Sequence, residues 1–312
     1  MVVVFFGTPQ FAVPSLGHLL ASSHRVCGVV TQPDRPRGRG QKITDAPVKS
    51  VALQHGVPVV QPARLRDPEF TATLRAWKPD LGVVVAYGQL IPEDVLQIPR
   101  LGMINVHASL LPKYRGAAPV HRAVIAGERE TGVTIMRVVK ALDAGAMLAR
   151  ATRPIGADET SEDVERDLAE TGARLLVDVI DRMEHGPLAE EPQDASASTY
   201  ASKLTKEEGL IDWTLPARAI HDRVRGLHPW PHAYGYLDGM RVILLKTRVE
   251  GEETTAEPGT LVASSRDVIT VAAGDGRLIA IEHLQPEGRR PMQAREFLAG
   301  RPIAPGTRFT GR

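Results

Sequence analysis

The chain opens Val2-Val3-Val4-Phe5-Phe6-Gly7-Thr8-Pro9-Gln10-Phe11, and these ten residues fix the architecture expected of its first half. Five consecutive apolar residues of β-branched and aromatic type suit a strand buried on both faces, as in a parallel sheet. Gly7-Thr8-Pro9 ends that strand, and residues 11–20 carry helical spacing. The unit then recurs. Residues 26–30, 81–86, 104–107 and 133–138 are further strand candidates, while 46–55 and 67–77 have helical spacing. Pro47 suits a helix if it falls in the first turn, where a missing N–H costs nothing. Residues 161–184 form the longest helix expected, capped by Thr160 or Ser161 and ended by Gly186-Pro187. Strand alternating with helix predicts a doubly wound, Rossmann-like α/β domain.

Residues 190–202, EEPQDASASTYAS, are small and polar without periodicity, the composition of a linker. Beyond them come a helix expected over 217–227 and five short strand candidates, 233–237, 240–248, 259–263, 268–272 and 278–284. Asp238-Gly239 and Asp275-Gly276 supply hairpin turns. This pattern predicts a small antiparallel β-barrel, OB-like in size. The expected division is a domain over 1–189, a linker over 190–205 and the barrel over 206–312.

A length of 312 residues suits two domains, and 43% hydrophobic residues can build a sizeable core. Lys plus Arg is 38 against 37 for Asp plus Glu, which argues against a wholesale basic nucleic-acid binder and leaves room for a local basic patch. The single cysteine, Cys27, excludes an intrachain disulfide and a four-thiolate metal site, and fits a reducing compartment. The ten histidines are scattered without ligand spacing, so no metal is expected. The opening lacks a basic stretch before its apolar run and reads as a strand rather than a signal peptide. No apolar run approaches the roughly 20 residues of a membrane span. A cytoplasmic protein is expected.

Gly7-Thr8-Pro9-Gln10-Phe11 places main-chain amides at a helix start, but the second glycine of a dinucleotide fingerprint is absent. That disfavours a nicotinamide-dependent oxidoreductase. Asn105-Val106-His107 is more informative. Alternate residues of a strand share a face, so Asn105 and His107 point together while Ile104 and Val106 point into the other layer. They stand just before the carboxyl end of their strand, where α/β sheets bind ligands. The loop Ala108-Ser109-Leu110-Leu111-Pro112 follows, and Lys113-Tyr114-Arg115-Gly116 extends it with two basic residues. Leu142-Asp143-Ala144-Gly145 is a second turn after a strand. Sequence spacing alone does not bring Asp143 to His107.

In order along the chain stand Gly7-Thr8-Pro9, Thr31-Gln32-Pro33-Asp34-Arg35-Pro36, Arg37-Gly38-Arg39-Gly40, Val85-Ala86-Tyr87-Gly88, Asn105-Val106-His107, Ser109-Leu110-Leu111-Pro112, Arg115-Gly116-Ala117-Ala118-Pro119, Gly132-Val133-Thr134 and Leu142-Asp143-Ala144-Gly145. Together they resemble the methionyl-tRNA formyltransferases, within the wider family that uses 10-formyltetrahydrofolate. The likeness continues through Lys203-Leu204-Thr205-Lys206, Asp212-Trp213 and His228-Pro229-Trp230-Pro231. It implies formyl transfer from 10-formyltetrahydrofolate, as co-substrate and without a metal, to the amine of methionine on initiator tRNA, by a cytoplasmic monomer. It implies catalytic roles for Asn105, His107 and Asp143. It implies a folate cleft at Tyr87, Gly88, Ser109, Leu110, Leu111 and Pro112, and tRNA contact by Arg35, Arg37, Arg39 and Lys42. The chain departs from the pattern at Ala146, where relatives often carry Asp, and at His228, where Asn is usual.

Three other functions are weighed. A formyltransferase for a small amine, such as an amino-sugar nucleotide, shares the Asn-x-His and Leu-Asp-x-Gly motifs; the Arg-rich stretch over 33–42 and the full barrel count against it. A non-catalytic nucleic-acid binder is disfavoured by the intact Asn105, His107 and Asp143, and a dehydrogenase by the missing glycines.

Overall fold

A computed structural model describes residues 1–37, 42–264 and 267–310. The chain divides into two compact units. The first comprises Met1–Pro119, Glu130–Arg153 and Glu165–Ala201; the second comprises Val120–Arg129, Pro154–Val164 and Ser202–Arg312.

The first unit is built on a seven-stranded sheet in the order Met147–Pro154, Glu130–Arg137, Met103–His107, Leu81–Val85, Val2–Gly7, Arg25–Val30 and Val59–Val60. The five strands from Met103–His107 outward are parallel, and Glu130–Arg137 runs antiparallel to Met103–His107. Val3, Val4, Phe5 and Phe6 are fully buried, as two-sided coverage requires. Cys27 is buried on its strand as a free thiol. Pro47 opens the helix Pro47–Gln54 at its first position, and Asp67 caps Pro68–Ala76 through the Glu69 N–H at 3.0 Å. The long helix runs Ser161–His185. Its Gly172 lies against Val106, so the apolar side of Asn105-Val106-His107 faces this helix and its polar side faces away.

Residues 190–201, expected as a linker, lie along this unit. Glu191 bridges to Met147, and Tyr200–Ala201 pairs in parallel with Arg115–Gly116. The Arg-rich stretch has antiparallel order at its base. Arg35–Arg37 pairs with Lys42–Thr44, with Arg35 opposite Thr44 and Arg37 opposite Lys42. Arg39 lies outside the described residues.

The second unit holds a sheet ordered Leu261–Ser264, Ile269–Ala272, Arg277–Pro286, Met240–Glu253, Ala233–Leu237 and Phe309–Thr310, with Met292–Gln293 added beside Arg277–Pro286. Its ends meet. Thr260 bridges Arg308, and the Phe309 N–H donates to the Gly259 carbonyl at 2.8 Å, which nearly closes the barrel. Asp238 and Gly239 take φ of 48° and 74°, the left-handed pair that a two-residue hairpin demands. Phe309–Thr310 was not foreseen, because two residues are too short to show alternation. The helix Ala217–Gly226 carries buried Ile220 and Val224.

Segments from earlier in the chain are built into this unit by polar contacts. The Arg225 guanidinium donates to the Glu159 carbonyl at 3.0 Å, and the Ser161 hydroxyl to the Gly226 carbonyl at 2.8 Å. The His121 ring also donates to Gly226, at 2.8 Å. Among the described residues no helix is long and apolar enough to cross a membrane, and no cluster of three or more His, Cys, Asp or Glu side chains has metal-holding geometry.

Candidate active site

Asn105 and His107 sit on one face of Met103–His107, as strand alternation requires. His107 is buried at 6% exposure, and its Nε2 lies 2.9 Å from the Tyr114 carbonyl. A carbonyl only accepts, so Nε2 carries a proton. In the neutral ring Nδ1 is then the basic nitrogen. It faces Asp143 Oδ2 at 3.8 Å, beyond a direct hydrogen bond and close enough to stabilise an imidazolium. The Asn105 side chain is half-buried and makes no hydrogen bond to any described residue. A carboxamide held on a rigid strand with its donors uncommitted is the kind of group that can meet a developing negative charge.

Asp143 is fixed by the main chain. Its Oδ2 accepts from the Gly116 N–H at 2.8 Å, and its own φ is 48°. Two glycines make this possible. At Gly116, φ is 116° and a Cβ would come within 2.7 Å of the Ala201 carbonyl. At Gly145, a Cβ would stand 1.8 Å from the Arg137 carbonyl. The Asp-x-Gly spacing thus lets the turn press against the neighbouring strand and present Asp143 to His107. Gln193 completes the brace. Its amide donates to the carbonyls of Asp143 at 2.9 Å and Gly145 at 2.8 Å, while its oxygen accepts from Arg115 at 2.7 Å. Sequence reasoning missed Gln193, which lies inside the stretch expected to be a linker.

The loop after His107 is tied down internally. The Ser109 hydroxyl donates to the Lys113 carbonyl at 2.7 Å. Thr134 Oγ1 donates to the Ser109 carbonyl at 2.7 Å and accepts from the Leu111 N–H at 3.2 Å. Ser109 is fully buried, and Leu111 packs with Met136 and Met147. Leu110 and Pro112 are half-buried, and they and the loop's main chain are what this stretch offers a bound molecule. Tyr87 turns its ring into the core, edge-on to Phe6 at 5.5 Å, and burial pushes its hydroxyl up to about 12. Ala86 and Gly88 beside it take φ of 47° and 86°. The structure brings Asn105, His107 and Asp143 together. Arg35, Arg37 and Lys42 stand on the separate hairpin.

Residues 1–180 match the family Formyl transferase, and residues 203–302 match Formyl transferase, C-terminal domain. A methionyl-tRNA formyltransferase from Methylobacillus flagellatus is 49% identical over 311 residues, covering 99% of each chain. Another from Citrifermentans bemidjiense is 48% identical over 307 residues, covering 98% of this chain and 95% of its own. The chain belongs to the methionyl-tRNA formyltransferase family. Among solved structures, a sugar 3N-formyl transferase superposes with a TM-score of 0.69 at 17% identity, covering 93% of this chain and 99% of its own. HypX from Aquifex aeolicus, solved with tetrahydrofolic acid, gives 0.62 at 19% identity over 99% of this chain and 50% of its own. At such identities these two show the shared fold.

Proposed function

We infer that this formyltransferase moves the formyl group of 10-formyltetrahydrofolate onto the amine of methionine esterified to initiator tRNA, in the cytoplasm and without a metal. The observation that carries the residue assignment is the pair of uncommitted groups on one strand face, the Asn105 amide and the His107 Nδ1. The amine nitrogen forms a bond to the formyl carbon, and the bond from that carbon to the folate nitrogen breaks. The Asn105 amide donates to the formyl oxygen as it gains charge. His107 takes the proton shed by the amine at Nδ1, Asp143 stabilises the resulting imidazolium, and His107 returns the proton to the departing folate nitrogen. Leu110, Pro112 and the main chain of Ser109 to Pro112 and of Tyr87 to Gly88 line the folate cleft. Arg35, Arg37, Arg39 and Lys42 contact the acceptor stem, and the barrel over 206–312 supplies further tRNA surface.

The test is a formylation assay with 10-formyltetrahydrofolate and three acceptors: charged initiator tRNA, charged elongator methionyl-tRNA and an amino-sugar nucleotide. Strong preference for the initiator tRNA is expected. Preferential formylation of the sugar nucleotide would assign the chain to the alternative function.

A further inference from the structure

The Arg-rich hairpin leaves the sheet after Thr31 and returns before the helix Pro47–Gln54. Its two ends are joined to each other and to residues 87–89 by one run of side-chain contacts. Lys49 Nζ meets Asp34 Oδ2 at 2.5 Å and Asp45 Oδ1 at 2.7 Å. The Asp34 and Lys49 side chains are only 18% and 19% exposed. Asp34 Oδ1 accepts from the Gln61 amide at 3.0 Å, and the same amide donates to the Gln32 carbonyl at 2.8 Å. Gln32 Nε2 donates to the Tyr87 carbonyl at 3.2 Å, and Gln32 Oε1 accepts from Gln89 at 2.9 Å.

This run extends beyond the hairpin itself. Asp34–Lys49 joins the two ends, while Gln61 and Gln32 carry the connection across the carboxyl ends of Arg25–Val30 and Val59–Val60 to the 87–89 rim. The charges are largely taken up within the run, so Lys49 is committed to two carboxylates rather than offered to solvent. The Lys49 ammonium beside Asp34 holds that carboxyl below its ordinary range.

We propose that Asp34, Lys49, Gln61 and Gln32 are positioning residues: they form a clasp that fixes the Arg-rich hairpin relative to the folate cleft, so that its cations engage the phosphates of the acceptor stem in register with the amine to be formylated. This rests on the reading of the hairpin as a tRNA contact. The four residues act through the hairpin, by contacts made within the protein.

The test compares Lys49→Met, Asp34→Asn and the charge swap Asp34→Lys/Lys49→Asp with an Arg35→Ala/Arg37→Ala variant. Each is assayed for kcat/KM with methionyl initiator tRNA, KM for 10-formyltetrahydrofolate and Tm. Lys49→Met and Asp34→Asn should each lower kcat/KM for tRNA about tenfold, within the usual range of coupling between sites. Folate KM and Tm should be unchanged, and the swap should recover only part of the loss, since it sets a carboxylate at 49 against Asp45 and deprives the Gln61 amide of its acceptor. The Asp34→Asn result is decisive because a direct Lys49–phosphate contact predicts the opposite sign: removing the nearby carboxylate would leave tRNA use unchanged or improve it. That outcome overturns the clasp. So does a parallel loss in folate KM and Tm, which marks a purely structural role. If Arg35→Ala/Arg37→Ala falls while the clasp variants do not, the clasp fails and the hairpin keeps its role. If the arginine variant is fully active, the tRNA reading of the hairpin fails and the clasp with it.

Discussion

Two polar centres of this molecule use similar residues to opposite ends. At the end of Met103–His107, the Asn105 amide is uncommitted and His107 keeps its Nδ1 facing a carboxylate 3.8 Å away. In the second unit, Asp222, Arg225 and His221 are more deeply buried, and both carboxylate oxygens and both ring nitrogens are taken up. Asp222 takes Arg225 at 2.7 Å and Arg218 at 3.1 Å. His221 has Thr247 at 3.1 Å on one nitrogen and the Ala157 carbonyl at 3.0 Å on the other. The first centre is held by main-chain partners that leave side-chain groups available for chemistry. The second spends its side chains on fastening residues 154–164 to the barrel unit. The two centres differ in how much side-chain hydrogen-bonding capacity they leave free.

That contrast is tested most severely by Arg225→Met. Removal of one partner leaves Asp222 buried beside Arg218 alone, and breaking a buried pair should cost about 3 kcal/mol of stability. Chemical denaturation measures the loss. Activity per folded molecule should stay near wild type, which would mark the second centre as structural. Asn105→Ala should do the reverse. Loss of one well-placed donor to a developing oxyanion should lower kcat by about 10²–10³-fold. Tm should hold, since the amide has no partner to lose among the described residues.

The smallest effect concerns pH. Burial, assisted by Arg218 and Arg225, depresses His221 below its ordinary value of 6.5, against the opposing pull of the Ala157 carbonyl and Asp222. The unfolded chain therefore binds this proton at higher pH than the folded one. Stability from His221 is fully present above pH 6.5 and declines as pH falls below it, through the depressed folded value. Thermal melts should show a modest fall in Tm on going from pH 7 to pH 5.5. His221→Gln should flatten that segment of the curve. The depressed carboxyls, Asp34 and Asp80 among them, act only at lower pH.

Much of the first unit was legible because its strands announce themselves. Val2–Gly7 is an unbroken apolar run, and period-two alternation alone put Asn105 and His107 on one face. The barrel was legible through its Asp-Gly turns. The Gln193 brace and the Gln32–Gln61 run were not, because they depend on side chains from distant segments converging, and a lone glutamine carries no local signature. Tyr87 shows a different limit. The family likeness pointed to a binding residue, but the ring is turned into the core against Phe6, after a left-handed residue at Ala86. The 190–201 stretch had a linker's composition because its contacts are made by main chain and by polar side chains such as Glu190, Gln193 and Thr199, which do not require apolar periodicity. Residues 120–129 and 154–164 belong to the same compact unit as the barrel, a grouping of distant segments that composition along the chain does not register.

The most direct measurement is single-turnover formyl transfer by His107→Ala, with 10-formyltetrahydrofolate and methionyl initiator tRNA both saturating. Loss of the proton carrier at Nδ1 should lower the first-order rate by about 10²–10⁴-fold, with the dissociation constants for both substrates unchanged. A rate near wild type would contradict the assignment of the Asn105–His107–Asp143 group as the catalytic centre.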